Sequence, residues 1–98
     1  MFVLVVRMEI HIPYSRSLKE KRMVRRSLLD GLRREFGVSC AEVDHPDAHQ
    51  ILSVGAAAVN GDAPLLDRMG MDIRSYVERR GEGMITSYRS ECLPWRWE

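Results

Sequence analysis

The stretch FVLVVRMEIHIPYSRSLKEKRMVRRSLLDGLRREF, residues 2–36, contains the change of hydrophobic period that decides the fold. From Phe2 to Ile12 every second residue is apolar, and the polar residues Arg7, Glu9 and His11 lie on the other face, which predicts a strand with one buried face. From Leu18 to Phe36 apolar residues recur at every fourth position, which predicts a helix. Gly37 stands where the C-cap of that helix is expected. The chain therefore begins with a strand followed by a helix.

The rest of the chain has two strands, a helix and a final strand. These strands are predicted over residues 38–43, 50–60 and 84–92. The segment 44–49 has the composition of a turn. Asp62 is expected to cap the second helix, which ends at Gly81. The tail, residues 93–98, is predicted to be irregular.

The order β-α-β-β-α-β, with right-handed crossovers, predicts an α+β ferredoxin-like sandwich. Its four-stranded antiparallel sheet has the order 4-1-3-2, and both helices lie on one face. The 98 residues are enough for one domain, residues 1–98, with a single core. Cys40 and Cys92 fall on opposite edges of this sheet, too far apart for a disulfide bond, so two free thiols are expected.

The composition indicates an ordinary globular domain, with 45% apolar and 30% charged residues. A formal net charge of +1 argues against a protein that coats nucleic acid generally, so a charged partner must be recognised by a local patch. The apolar N-terminal run is too short for a signal peptide or a membrane span. We therefore expect a cytoplasmic protein that has no membrane partner.

Positive charge is concentrated where the first helix begins, at Ser17-Leu18-Lys19-Glu20-Lys21-Arg22. Ser17 and Glu20 have the spacing of a reciprocal capping box. Eight of the fifteen basic residues lie between positions 16 and 34, against two acidic residues. Cations in the first turn oppose the helix dipole, which favours anions there. This arrangement suggests that an anion docks at the helix entrance.

Helical geometry places Lys19, Arg22, Arg26 and Arg33 on one exposed face. The candidate nucleic-acid-binding residues are Arg16, Lys19, Lys21, Arg22, Arg26 and Arg33. Lys21 and Arg25 fall within the buried arc of the helix, so either they extend past the sheet edge or they reach the acids of the 44–47 turn. The alternative interpretation of the basic face is a solvated surface without a ligand.

The predicted topology brings the helix entrance to the same end of the molecule as the turn before the third strand. Asp47, His49 and Gln50 are the candidate polar contacts of this rim. His45 and His49, with neighbouring aspartates, are residue types that bind zinc, but their spacing in a proline-containing loop favours a polar turn. No metal site, cofactor or small-molecule substrate is predicted. The chain also lacks a nucleophile–base pair and a glycine-rich phosphate loop, so it is not expected to be an enzyme.

The uncovered face of the sheet is expected to be small and apolar. Its residues are Val3, Val5, Ser53, Gly55, Ala57 and Val59. It lacks the stacking aromatic residues of an RNA-recognition module, and it suggests either self-association as a homodimer or a partly exposed face in a monomer. Trp95 and Trp97 are expected to pack over an open edge of the sheet, and the alternative is that they stay mobile.

Two segments together resemble a known family. They are SLKEKR at residues 17–22, followed by Ser27-Leu28-Leu29, Arg33 and Phe36, and VSCAEVD at residues 38–44, followed by Asp47 and Gln50. The chain is similar over nearly its whole length to the small bacterial YlxP-like family. That resemblance implies a ferredoxin-like fold and an association with translation or ribosome maturation, without an established activity. The chain departs from the family where His49 replaces an aromatic residue and Pro46 replaces glutamine.

The residues and the resemblance lead to one main hypothesis. The protein is a non-enzymatic accessory protein that contacts RNA or a ribosomal subunit through its basic helix face. The alternative is a homodimeric protein-interaction module that uses the open face of the sheet, with the basic face only aiding solubility.

Overall fold

The computed structural model describes residues 1–98 and confirms the ferredoxin-like α+β fold. The strands are β1 (Phe2–His11), β2 (Ser39–Asp44), β3 (Ile51–Asn60) and β4 (Met84–Pro94), and the helices are α1 (Leu18–Phe36) and α2 (Ala63–Arg80). The strands form one antiparallel sheet in the order β2-β3-β1-β4, which is the predicted order counted from the other edge. Cys40 on β2 and Cys92 on β4 therefore lie on opposite edges, and both are free thiols.

The core lies between one face of the sheet and the two helices. Alternate residues of β1, from Leu4 to Ile10, and Ile12 directly after the strand are at most 2% exposed, as the period of two requires. They pack with the buried stripes of α1 and α2, including Leu32 and Ile73. Neither helix is long and apolar enough to cross a membrane. The opposite face of the sheet carries no helix.

The ends of α1 are set by local caps. Ser17 accepts a hydrogen bond from the amide of Glu20 at 3.1 Å, as the capping box predicts. The Glu20 carboxylate accepts from the amide of Arg16 at 2.6 Å, one residue before the predicted partner. At the other end Gly37 adopts φ 64°, and its amide donates to the carbonyl of Arg33 at 2.9 Å. The left-handed backbone at this position is easily adopted only by glycine.

The C-terminal tail differs from the prediction. β4 continues to Pro94, and the amide of Trp95 donates to the carbonyl of Met1 at 2.8 Å, so the pairing with the first residues of the chain extends into the tail. The indoles of Trp95 and Trp97 contact each other edge to face, with ring centroids 6.4 Å apart. Both side chains are exposed, Trp97 to 95%. The predicted packing of these rings over a sheet edge is therefore wrong.

Candidate nucleic-acid interface

Four cations form an exposed surface at the entrance of α1, which we call the basic ridge: Arg16, Lys19, Arg22 and Arg26. None of the four forms an ion pair with a carboxylate within 4.0 Å. Glu20, the acidic residue nearest in sequence, instead caps the helix through the Arg16 amide. The ridge therefore presents four positive charges without an internal counterion.

The ridge borders a shallow groove on the exposed side of α1. The groove is lined by Lys19, Arg22, Met23, Arg26, Ser27 and Asp30. The Ser27 hydroxyl accepts a hydrogen bond from Arg80 of α2 at 2.6 Å, so the groove extends toward the second helix. Guanidinium groups can donate two parallel hydrogen bonds to a phosphate, and an open groove leaves them free to do so. The arrangement is chemically suited to binding a chain of anions.

Arg33 was predicted to belong to the same surface, but it is partly used within the fold. Its guanidinium lies 3.4 Å from a carboxylate oxygen of Asp30 and donates to the backbone carbonyl of Cys40 at 2.9 Å. These contacts fasten the second half of α1 to β2. Arg33 remains half exposed, but part of its charge is compensated by Asp30.

Lys21 was predicted to bind nucleic acid, and the structure contradicts this because its side chain is only 1% exposed. The ammonium lies 2.9 Å from Glu42 Oε2, and it donates at 2.8 Å to the carbonyls of His45 and Ala48. The carbonyl of Ile51 is 3.1 Å away. Lys21 therefore holds the turn between β2 and β3 from inside, because position 21 lies on the buried side of α1.

Arg25 shares the carboxylate of Glu42 with Lys21, at 2.8 Å from Oε1. The acid that these two residues reach is therefore on β2, and the acids of the 44–47 turn are not their partners. Partial burial of Glu42 opposes its ionisation, but the hydrogen bonds and positive charges of Lys21 and Arg25 outweigh it. The pKa of Glu42 is accordingly lowered from its ordinary value.

The lowered pKa of Glu42 predicts a pH dependence of stability. A carboxyl group with a depressed folded-state pKa stabilises the fold above its unfolded-state pKa, and this contribution is lost as the pH falls through the folded-state value. Glu42→Gln is therefore expected to lower the free energy of unfolding by about 1–2 kcal/mol near neutral pH. The variant is also expected to lose less stability than the wild type on acidification below the ordinary pKa of 4.5.

Urea unfolding at about pH 7 and about pH 3.5 measures this difference. Glu35→Gln is the matched control, because Glu35 is an exposed glutamate of α1 that forms no ion pair. Equal pH dependence of the wild type and the Glu42 variant would contradict the assignment of a stabilising charge to Glu42.

The predicted polar rim does lie at the same end of the molecule as the helix entrance. Gln50 Nε2 donates to the backbone carbonyls of Pro13 and Ser15, at 3.1 and 3.3 Å, and so ties the turn to the start of α1. Asp47 and His49 are exposed. His49 borders a small depression that it shares with His11. The role of Asp47, His49 and Gln50 in binding stays a prediction.

A polar cluster on the uncovered face of the sheet was not predicted from the sequence. Arg7 pairs with Asp44 at 2.9 Å, and Glu9 lies 3.2 Å from His45 Nε2. The buried hydroxyl of Ser53 donates to Glu9 at 3.1 Å. The signal was available, because alternation places Arg7 and Glu9 on the same face as the valines of β1.

Two local contacts stabilise the charged form of Asp44 in this cluster. A hydrogen bond from the His45 amide, followed by one from Arg7, lowers the pKa of Asp44. His45 itself has a positive φ of 52°, which directs the chain into the turn. No group of three His, Cys, Asp or Glu side chains is arranged to hold a metal ion.

Comparisons with known proteins bear on the fold and the family. The crystal structure of the N63A mutant of SnoaB, a cofactor-independent oxygenase from Streptomyces nogalater, is similar with a TM-score of 0.50 and 12% sequence identity. The match covers 99% of this chain and 94% of SnoaB, and it shows a shared fold. A search of curated proteins found no match. The family model described as "Protein of unknown function (DUF503)" matches residues 3–90. The chain therefore belongs to the DUF503 family.

Proposed function

We propose that this protein is a non-enzymatic accessory protein that binds RNA through the basic ridge. The main observation that supports this proposal is the set of four exposed cations at the entrance of α1, none of which has a carboxylate partner. The other cations of the same helix segment, Lys21 and Arg25, share the carboxylate of Glu42. Two basic residues of this segment therefore stabilise the fold, while the four residues of the basic ridge are exposed to solvent and available to a ligand.

Phosphate is the anion that this surface suits best. Three of the four ridge cations are arginines, whose planar guanidinium groups bind phosphate oxygens in pairs. The amides of the first turn of α1 add a partial positive charge at the same place. Lys19, Arg22 and Arg26 follow one another along about 10 Å of helix, so they can contact successive phosphates of a strand. A single small anion would leave most of the ridge unused.

The resemblance to the YlxP-like family supports the choice of RNA on a ribosomal subunit as the target. The DUF503 assignment is compatible with the YlxP-like resemblance, which associates such bacterial proteins with translation or ribosome maturation. We accordingly place its action in the cytoplasm. The oxygenase activity named for SnoaB stays with that protein, because similarity at 12% identity concerns the fold alone.

Salt dependence of RNA binding tests the proposal. Four phosphate contacts to single-stranded RNA predict a slope of about −3 in log K against log salt, which weakens binding roughly 50-fold between about 50 and 200 mM salt. The measurement is fluorescence anisotropy of a short labelled single strand of ribosomal RNA, together with co-sedimentation with ribosomal subunits. Absence of binding at the lower salt concentration, or a slope near zero, would refute the assignment of the ridge to RNA.

A further inference from the structure

Half of the twelve large apolar residues that are exposed lie together on the uncovered face of the sheet. The pairing register places Val3 opposite Leu93, and the Trp95–Met1 hydrogen bond continues this ladder by one more pair. We call the resulting surface the apolar patch. Its exposed members are Met1, Val5, Val43, Val59, Leu93 and Trp95.

The packing of this face makes it smooth as well as apolar. Gly55 and Ala57 supply no large side chain, and a Cβ atom at Gly55 would lie 2.8 Å from a methyl group of Val43. Large apolar side chains exposed elsewhere, such as Met23 and Met71, lie on the helices on the other side of the sheet. These apolar side chains flank the charged residues of the same face, and an exposed surface of this kind favours an interaction site.

The uncovered face carries both positive and negative side chains, so the charges of one copy can complement those of a second copy. Arg7 and Arg89 stand directly opposite each other on β1 and β4, an arrangement of like charges that is unfavourable across strands. Asp44 pairs with Arg7 and Glu91 with Arg89, so both signs alternate over a short distance. A two-fold axis that passes between these oppositely charged groups would bring carboxylates of one copy toward the arginines of its mate.

The area of the face is sufficient for a dimer. Three strands of ten or eleven residues and one of six, spaced about 4.8 Å apart, cover roughly 600 Å². Two such faces would bury roughly 1,200 Å² in total, which lies at the lower end of stable protein–protein interfaces. The exposed indole of Trp95 at the end of the ladder adds to this area, and tryptophan is enriched in protein–protein interfaces.

We propose that two copies of this chain pack sheet against sheet through the apolar patch. The helices of both copies then lie on the outside, with the two α1 axes on the order of 30 Å apart. Each basic ridge remains exposed, and the dimer therefore carries two basic ridges on opposite sides. The dimer does not depend on RNA, so it can be tested independently of the proposed function.

A pair of matched variants tests the dimer in the full-length chain. Val59 and Met23 are apolar residues of similar exposure, 63% and 67%, on opposite sides of the molecule. We expect sedimentation equilibrium to give twice the 11.3 kDa chain mass for the wild type. Val59→Asp is expected to raise the dimer dissociation constant at least about 100-fold, since it buries an unpaired charge. Met23→Asp is expected to leave that constant unchanged.

Tryptophan emission gives a second readout at the interface itself. Trp95 and Trp97 are the only tryptophans of the chain, so a blue shift with increasing concentration reports their desolvation in the dimer. The shift is expected for the wild type and the Met23 variant, and not for the Val59 variant. A wild type that stays monomeric at millimolar concentration overturns the proposal. A dimer that Val59→Asp leaves intact, or that Met23→Asp disrupts equally, overturns it as well.

Discussion

Replacement of Lys21 by methionine is expected to lower the free energy of unfolding by about 3 kcal/mol. Methionine fills a similar volume but donates no hydrogen bond. The carbonyls of His45 and Ala48 would lose their donor, and Glu42 would keep only Arg25 as a partner at 2.8 Å. Removing one member of a buried ion pair costs far more than removing an exposed charge, because the remaining charge stays desolvated.

Thermal unfolding measures this effect against a matched control. For a domain of this size about 3 kcal/mol corresponds to a fall in Tm of roughly 12–24 °C. Lys19→Met makes the same chemical change two residues earlier, where the side chain is exposed and has no ion pair, and a fall of less than about 4 °C is expected there. Equal effects of the two substitutions would show that Lys21 does not hold the turn.

Charge reversal on the basic ridge is expected to have the largest effect on binding. Arg22→Glu combined with Arg26→Glu removes two phosphate contacts and adds repulsion, so the affinity for single-stranded RNA should fall at least about 100-fold at low salt. Because both side chains are exposed and unpaired, the urea midpoint should stay close to that of the wild type. Anisotropy and urea unfolding on the same samples separate binding from folding.

A control for net charge is available in the chain. Arg68→Glu combined with Arg96→Glu also changes the formal charge from +1 to −3, since each reversal subtracts two charges. Arg68 lies on α2 and Arg96 in the tail, and both are exposed and without an ion pair. This variant is expected to lose less than about 5-fold in affinity through long-range repulsion alone. Equal losses in the two double variants would assign binding to overall charge, against the ridge.

The fold could be predicted from the sequence because its signals are local. The period of two in β1 and the four-residue steps of α1 give element type, and Ser17 and Gly37 mark both ends of the helix. The element order then leaves few topologies with right-handed crossovers. Each of these inferences needs only neighbouring residues or a general chirality rule.

The site was only partly predictable because some of its side chains form hydrogen bonds with backbone carbonyls of other elements. Helical geometry placed Lys21 on the buried arc, but its partners are carbonyls more than twenty residues away, whose directions depend on the turn after β2. Arg33 likewise bonds to a β2 carbonyl that no helix pattern reveals. The extension of β4 depends on the carbonyl of Met1, at the other end of the chain.

The different environments of the two lysines have a practical consequence for labelling. The chain contains no lysine besides Lys19 and Lys21, and Lys21 is enclosed by backbone oxygens and Glu42. An amine-reactive dye can therefore reach one lysine side chain in the native protein, and that side chain stands on the ridge. Apart from the terminal amine, wild-type protein would thus carry its fluorophore at the proposed RNA contact without an engineered cysteine.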